Sequence, residues 1–258
     1  MDSLEIIYGI HSVRAMLDSS PQSVLNLYVQ ETRKDQRVRS LIAKAKKLDV
    51  SIVRVSRDKL DDLTDAHHQG IVAVATRCEY SDTFNEESLI SILKNRESPA
   101  LLLILDGVKD PHNLGASLRS ADAFGVQVVI VPKDRAVGIT STVRKIACGA
   151  TQAIPFIRVT NLSRTLLSLQ KEGVWIVGTT AEAASHIQDV DLTGDIAIVL
   201  GSEGKGMRQL TMQRCDFLVK IPLEGTVESL NVSVACGICL YEVRRQRKIY
   251  QVTNHNCI

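Results

Sequence analysis

The stretch Leu101–Gly125, LLLILDGVKDPHNLGASLRSADAFG, decides how this chain of 258 residues is read. An apolar run passes through Asp106 and Gly107 into a polar turn, and a short helical stretch carrying Arg119 follows. Two later segments have the same build: IAIVLGSEGKGM at 196–207 and VKIPLEGTVESLN at 219–231. Together they deliver Asn113, Arg119, Glu203, Ser229, Asn231 and several glycines to the ends of strands. In open α/β sheets, ligands bind in the crevice beyond the carboxyl ends of the strands. The three segments therefore predict one active site.

Outward from that stretch, the runs at 101–106, 127–131, 174–178, 196–200 and 218–222 are almost continuously apolar. Such runs predict parallel strands covered on both faces, with helices between them. Residues 1–77 read as a smaller α/β unit. It has a helix in GIHSVRAMLDSS, an amphipathic helix at 37–48, a helix starting in KLDDLTD, and strands at 25–29, 51–55 and 71–75. Residues 78–98 are more polar and read as a linker with a short helix at about 86–95; the second domain spans 99–258. The fold class is α/β in two domains.

A hydrophobic content of 45% with 23% charged residues describes a globular chain, not a disordered one. No apolar run approaches the roughly 20 residues needed to cross a bilayer. The opening MDSLEIIYGIHS lacks the basic-then-apolar pattern of a secretory signal, so a cytoplasmic protein is expected. The cysteines show no disulfide rhythm. Cys236-Gly-Ile-Cys239 falls in a helical pattern and reads as core. The net charge of +2 is unevenly spread: Arg33, Lys34, Arg37, Arg39, Lys44, Lys46 and Lys47 face a single acid, Asp35. A second cluster, Arg244, Arg245, Arg247 and Lys248, lies near the C-terminus. Either patch fits a polyanion partner or a solvated helix face.

Several familiar signatures fail. Gly201-Ser-Glu-Gly204-Lys-Gly206 lacks the gap and the Ser/Thr of a P-loop, and it is no dinucleotide fingerprint. No cysteine or carboxylate cluster near His67-His68 gives metal-ligand spacing, so no metal is expected. The glycines at 201, 204, 206 and 225 would let loops wrap a flat ligand closely. Asn113 and Asn231 also sit where helix N-caps belong, and capping is the alternative reading of both.

DPHNLGASLRSADAFG, IVLGSEGKGM and IPLEGTVESLNVSVACGICLYEVRRQR resemble the three motifs of the SpoU (TrmH-type) branch of the SPOUT RNA methyltransferases. IYGIHSV and HHQGIVA look like that family's ribosomal-protein-like (L30e-like) N-terminal domain. The resemblance covers essentially the whole chain. It implies a C-terminal α/β domain with a deep trefoil knot, S-adenosylmethionine as cofactor, and a homodimer. The implied reaction is methylation of the ribose 2′-hydroxyl of a guanosine in 23S ribosomal RNA. By motif position, Gly201, Ile221 and Leu230 would hold the cofactor, and Asn113, Arg119, Glu203, Ser229 and Asn231 would be catalytic. Arg33, Lys34, Arg37, Lys44 and Lys47 are the RNA-binding candidates. A transfer-RNA enzyme of the same family and a non-catalytic RNA-binding assembly factor are the competing readings. The aromatic content of 4% argues against a base-stacking platform.

Overall fold

Near-continuous apolar strands have to be covered on both faces, and this requirement shapes the larger part of the molecule. The computed structural model describes residues 4–19, 21–33, 35–64, 68–76 and 84–255; Lys34, His67, Cys78 and Cys257 lie outside them. The described residues divide into two units. One holds those up to residue 76 together with 148–153, and the other holds the remainder from residue 84 onward.

The first unit runs β1 (Leu4–Tyr8), α1 (Ile10–Ser19), β2 (Val24–Gln30), α2 (Gln36–Lys47), β3 (Ile52–Val55), α3 (Arg57–Leu63) and β4 (Ile71–Thr76). The sheet order is β1-β4-β2-β3, with β4 antiparallel to both of its neighbours and β2 parallel to β3. Helix α2 starts where the Asp35 side chain accepts the Val38 N–H, and it buries Val38, Leu41 and Ala45. Lys44, Lys46 and Lys47 fall in its last turn, where cations offset the helix dipole. His68, in HHQGIVA, is a buried turn residue. Its Nδ1 accepts the Gly70 N–H at 2.9 Å, which leaves Nε2 to donate to Asp61 at 2.8 Å.

The second unit runs α4 (Glu86–Lys94), β5 (Leu101–Asp106), α5 (Pro111–Ala123), β6 (Val128–Pro132), α6 (Ser141–Ala147), β7 (Phe156–Val159), α7 (Leu162–Lys171), β8 (Trp175–Thr179), β9 (Ser185–His186), β10 (Ile196–Gly201), β11 (Phe217–Lys220) and α8 (Val232–His255). Its seven strands lie in the order β7-β6-β5-β10-β8-β11-β9, and every neighbouring pair is parallel. The loops that leave these strands therefore emerge along one edge. Every residue of β5 is buried. Helix α4 lies in the stretch read as linker, yet Leu89 and Leu93 are buried in the core of the second unit. The sequence reading had no β1, β7 or β9.

The long helix α8 sinks Val232, Cys236, Cys239, Leu240 and Val243 into the unit. Burial pushes the Cys236 thiol up to about 12 and raises Cys239 as well, so this pair is inert core. Of the C-terminal basic cluster, Arg247 is buried, Arg244 and Arg245 are exposed but hydrogen-bonded within the unit, and Lys248 is exposed. Arg247 donates to the carbonyls of Pro99, Ala100, Leu192 and Gly194. Burial lowers its guanidinium to about 10, still charged at neutral pH. Arg245 forks onto Glu242, and Arg244 donates to the carbonyls of Phe124 and Gly125. Arg244 and Arg247 tie α8 to the rest of its unit, while the Arg245–Glu242 pair lies within the helix.

Candidate active site

The site begins where the apolar strand β5 stops on a charge. Asp106 is buried, and its carboxylate accepts the Arg208 N–H at 2.9 Å and Arg208 Nε at 2.7 Å. This ion pair joins the end of β5 to the chain just beyond the 201–207 loop. Gly107, at φ +87°, then turns the chain into α5. The cap of α5 is Asp110, whose carboxylate accepts the His112 N–H at 3.1 Å, with Pro111 in the first turn. The capping alternative for Asn113 therefore fails. Asn113 lies inside the first turn with its side chain buried and turned toward the later motifs.

The 201–207 loop is a tight return. Ser202 and Gly206 exchange backbone hydrogen bonds at 3.1 and 2.9 Å, and Gly204 and Gly206 take positive φ. Gly201 is required for a different reason. A Cβ there would lie 2.1 Å from the Gly206 carbonyl carbon and the Met207 nitrogen. The loop closes against its own first residue, and it presents Glu203 outward.

Asn231 joins the three motifs. Its Nδ2 donates to Asn113 Oδ1 at 2.9 Å and to Glu203 Oε1 at 2.6 Å. Its Oδ1 accepts the Ser233 N–H at 2.9 Å and the Ser233 hydroxyl at 2.6 Å. The amide orientation follows, because the Ser233 N–H needs an acceptor and the Glu203 carboxylate needs a donor. Asn231 thus caps α8 and links the other two motifs at once.

Beside this cluster lies a cavity of about 800 Å³, walled by residues 179–182, 200–207, 212, 220–221, 223, 228–232 and 235. Gly201, Ile221 and Leu230 line it, as do Glu203, Ser229 and Asn231. Arg119 stands apart from this wall. It is exposed on α5 and forms no hydrogen bond or ion pair among the described residues. Sequence reasoning missed Asp106, Arg208 and Ser233. Asp106 had a signal, a lone acid closing an apolar run. Arg208 had none, because its partner is 102 positions away.

The RNA candidates of the first unit fare unevenly. Arg33 pairs with Asp35, whose carboxyl it holds below the usual range, and it also donates to the Gln69 carbonyl. Lys44 pairs with Asp18. Arg37 and Lys47 are exposed, and Lys34 lies outside the described residues.

Comparison with known proteins agrees with this layout. Residues 100–241 match the SpoU rRNA methylase family, and residues 6–81 match the RNA 2'-O ribose methyltransferase substrate-binding domain. The chain belongs to the SpoU rRNA methylase family. It is 65% identical to the 23S rRNA (guanosine-2'-O-)-methyltransferase RlmB of Coxiella burnetii over 96% of this chain and 98% of that one. Among solved structures, an RNA 2'-O ribose methyltransferase superposes with TM-score 0.76 at 26% identity, over 95% of this chain and 90% of that one. The SpoU methyltransferase AviRb from Streptomyces viridochromogenes, solved with the cofactor AdoMet, shares the fold at TM-score 0.75 and 23% identity, with coverage of 95% and 90%.

Proposed function

We propose that this chain methylates the ribose 2′-hydroxyl of a guanosine in 23S ribosomal RNA, with S-adenosylmethionine as donor. The observation that carries the proposal is the Asn113–Asn231–Glu203 cluster on the rim of the 800 Å³ cavity. The names of the relatives point to the same reaction. The cavity is the size of a cofactor site, and its glycine-rich wall lets backbone N–H and C=O groups approach a flat base. Gly201, Ile221 and Leu230 would hold the cofactor. When bound, it supplies the methyl group as an electrophile.

The chain's own residues have to position a weak nucleophile and handle its proton. A guanidinium does not normally give up a proton near neutral pH, so Arg119 is a poor general base. Its role is to stabilise the forming alkoxide and to grip the adjacent phosphate with both N–H groups. Asn231 and Asn113 orient the ribose, Glu203 orients the arginine, and Ser229 completes the pocket wall. Arg119→Lys keeps the charge and removes the fork. We expect turnover to fall about 10²–10³-fold, while S-adenosylmethionine affinity measured by calorimetry stays unchanged. Near-native turnover with only a shifted pH optimum would remove the bidentate role.

A homodimer is part of the same reading. The Arg119 side chain has no partner among the described residues, while Val234, Ile238 and Tyr241 leave an exposed apolar strip along α8. A second copy seated on that strip would cover it and bring Arg119 to a site. Gly237 sharpens the point. A Cβ there would meet only Ser120 Oγ at 3.8 Å, an ordinary contact, so packing within one chain does not demand glycine. Gly237→Ala should raise intrinsic helix stability by about 1 kcal/mol and weaken dimerisation in sedimentation equilibrium. A dimer constant equal to wild type would place Gly237 outside the interface. The family's trefoil knot belongs to this proposal too: the cavity walls come from separate chain segments that threading would bring together. The decisive assay is transfer of labelled methyl to 23S RNA from cells lacking this gene, followed by digestion to nucleosides. Label in 2′-O-methylguanosine supports the proposal, and an unlabelled product counts against it.

A further inference from the structure

We infer that the loops after β5 and β6, together with Arg158 on β7, form a phosphate-binding ledge that seats the RNA on the methyltransferase unit. The inference rests on RNA as the substrate, but it places a contact outside both the first unit and the cavity. Three hydrogen bonds hold the ledge together. Val137 N–H donates to the Val108 carbonyl at 2.9 Å, Arg158 Nη2 donates to the Lys133 carbonyl at 2.8 Å, and Lys133 N–H donates to the Val159 carbonyl at 2.8 Å. The Arg135 carbonyl lies 3.8 Å from where a Gly107 Cβ would sit. Lys109, Lys133, Arg135 and Arg158 are thus carried on one rigid strip. The strip lies along the sheet edge where parallel strands end, the edge at which Asp106 and Gly201 stand in register.

All four cations are exposed, and none forms an ion pair among the described residues. Arg33 and Lys44 of the first unit, by contrast, are each spent on an aspartate. The acids within the ledge are Asp110 and Asp134, and Asp110 is engaged on the His112 N–H. Cations unpaired with acids on a rigid edge are what a folded RNA needs for positioning through its backbone without reading of sequence.

Arg135 gives an independent pointer. It sits at φ +61°, in the left-handed region that favours glycine. Nothing inside the unit uses its guanidinium among the described residues, so the fold gains nothing from an arginine over a glycine there. A side chain kept at a conformational cost, with no internal partner, marks a contact with something outside.

The experiment separates conformation from contact. Arg135→Gly removes the cation and relieves the backbone, so a merely structural position would give a protein that melts at or above wild type and binds RNA equally well. We expect the raised or unchanged melting temperature, but with a higher KM for 23S RNA and an unchanged Kd for S-adenosylmethionine. The triple variant Lys109→Gln, Lys133→Gln and Arg135→Gly should raise the RNA KM about tenfold or more at physiological salt. It should also make the log–log salt dependence of RNA binding shallower by roughly 2 units, since each phosphate contact contributes about 0.7–0.9. Arg158 is left in place because it braces the Lys133 carbonyl. An unchanged RNA KM and salt slope in both variants would overturn the ledge. Should the wild-type protein neither bind nor methylate 23S RNA, the substrate reading fails instead, and the two failures are told apart by that control.

Discussion

Gly201→Ala is expected to abolish measurable S-adenosylmethionine binding and to lower the melting temperature. The added methyl would lie 2.1 Å from the Gly206 carbonyl carbon and the Met207 nitrogen, and 2.6 Å from the Gly206 oxygen. All three are backbone atoms, so no side-chain rotation relieves the clash. Nor can Gly201 retreat, because it stands in register with Asp106 at the end of a buried parallel pair. The 201–207 return therefore has to move as a block, breaking the Ser202–Gly206 hydrogen bonds and lifting Glu203 away from Asn231. Overpacking of this kind costs typically about 1–3 kcal/mol, occasionally more. Gly204→Ala is the matched control. Gly204 takes φ +75° but has nothing within 4 Å of a Cβ, so that variant bears only backbone strain and should still bind the cofactor. Calorimetric titration of both proteins checks this, and an unaltered Kd in Gly201→Ala would mean that the loop does not form the cofactor wall.

The contrast between these two glycines shows what a sequence can and cannot reveal. A run such as GSEGKG announces a tight loop, but it does not say which glycine is needed for conformation and which for space. The strands were readable for a similar reason. LLLILD and VVIVP are buried along their whole length, and IAIVLG in all but its final glycine, so composition alone marks them. FIRV, the edge strand β7, was not readable, because Arg158 interrupts four residues that are otherwise apolar. The two-residue β9 is too short to leave a pattern. In the site, Asp110 immediately before Pro111 was the stronger cap signal, and it frees Asn113 for other work. The partners of the C-terminal arginines were not readable, because a string of letters shows charge and not partners. The carbonyls that hold Arg247 come from residues 53 to 148 positions away. Asp106 and Arg208 were hidden from each other in the same way.

The second large effect is expected at Asn231. Asn231→Asp changes little in shape and keeps the acceptor that caps α8 through Ser233. It removes the two N–H donors that hold Asn113 and Glu203. The Asn113 side recovers, since Asn113 can turn its own amide and donate to the new carboxylate. The Glu203 side does not, because two carboxylates then meet where a 2.6 Å hydrogen bond stood. Like charges at that separation raise the pKa of the pair until one proton is shared. The sign follows from this. Below the raised value the shared proton bridges the two groups and the loop stays in place; above it both groups are charged and repel. Relative to wild type, the variant's activity and stability are both present on the acid side and are lost as pH rises. We expect kcat about 10²-fold or more below wild type at pH 8, with the deficit narrowing as pH falls toward 6. Glu203→Gln in the same chain supplies an N–H donor to the new carboxylate, so the double variant should regain at least about tenfold at pH 8 and lose the pH dependence of the deficit. Activity ratios measured across pH 6–9 for the three proteins decide the matter. A deficit that is flat with pH, and untouched by Glu203→Gln, would show that residues 203 and 231 do not act on each other and that the cluster is not the centre of the site.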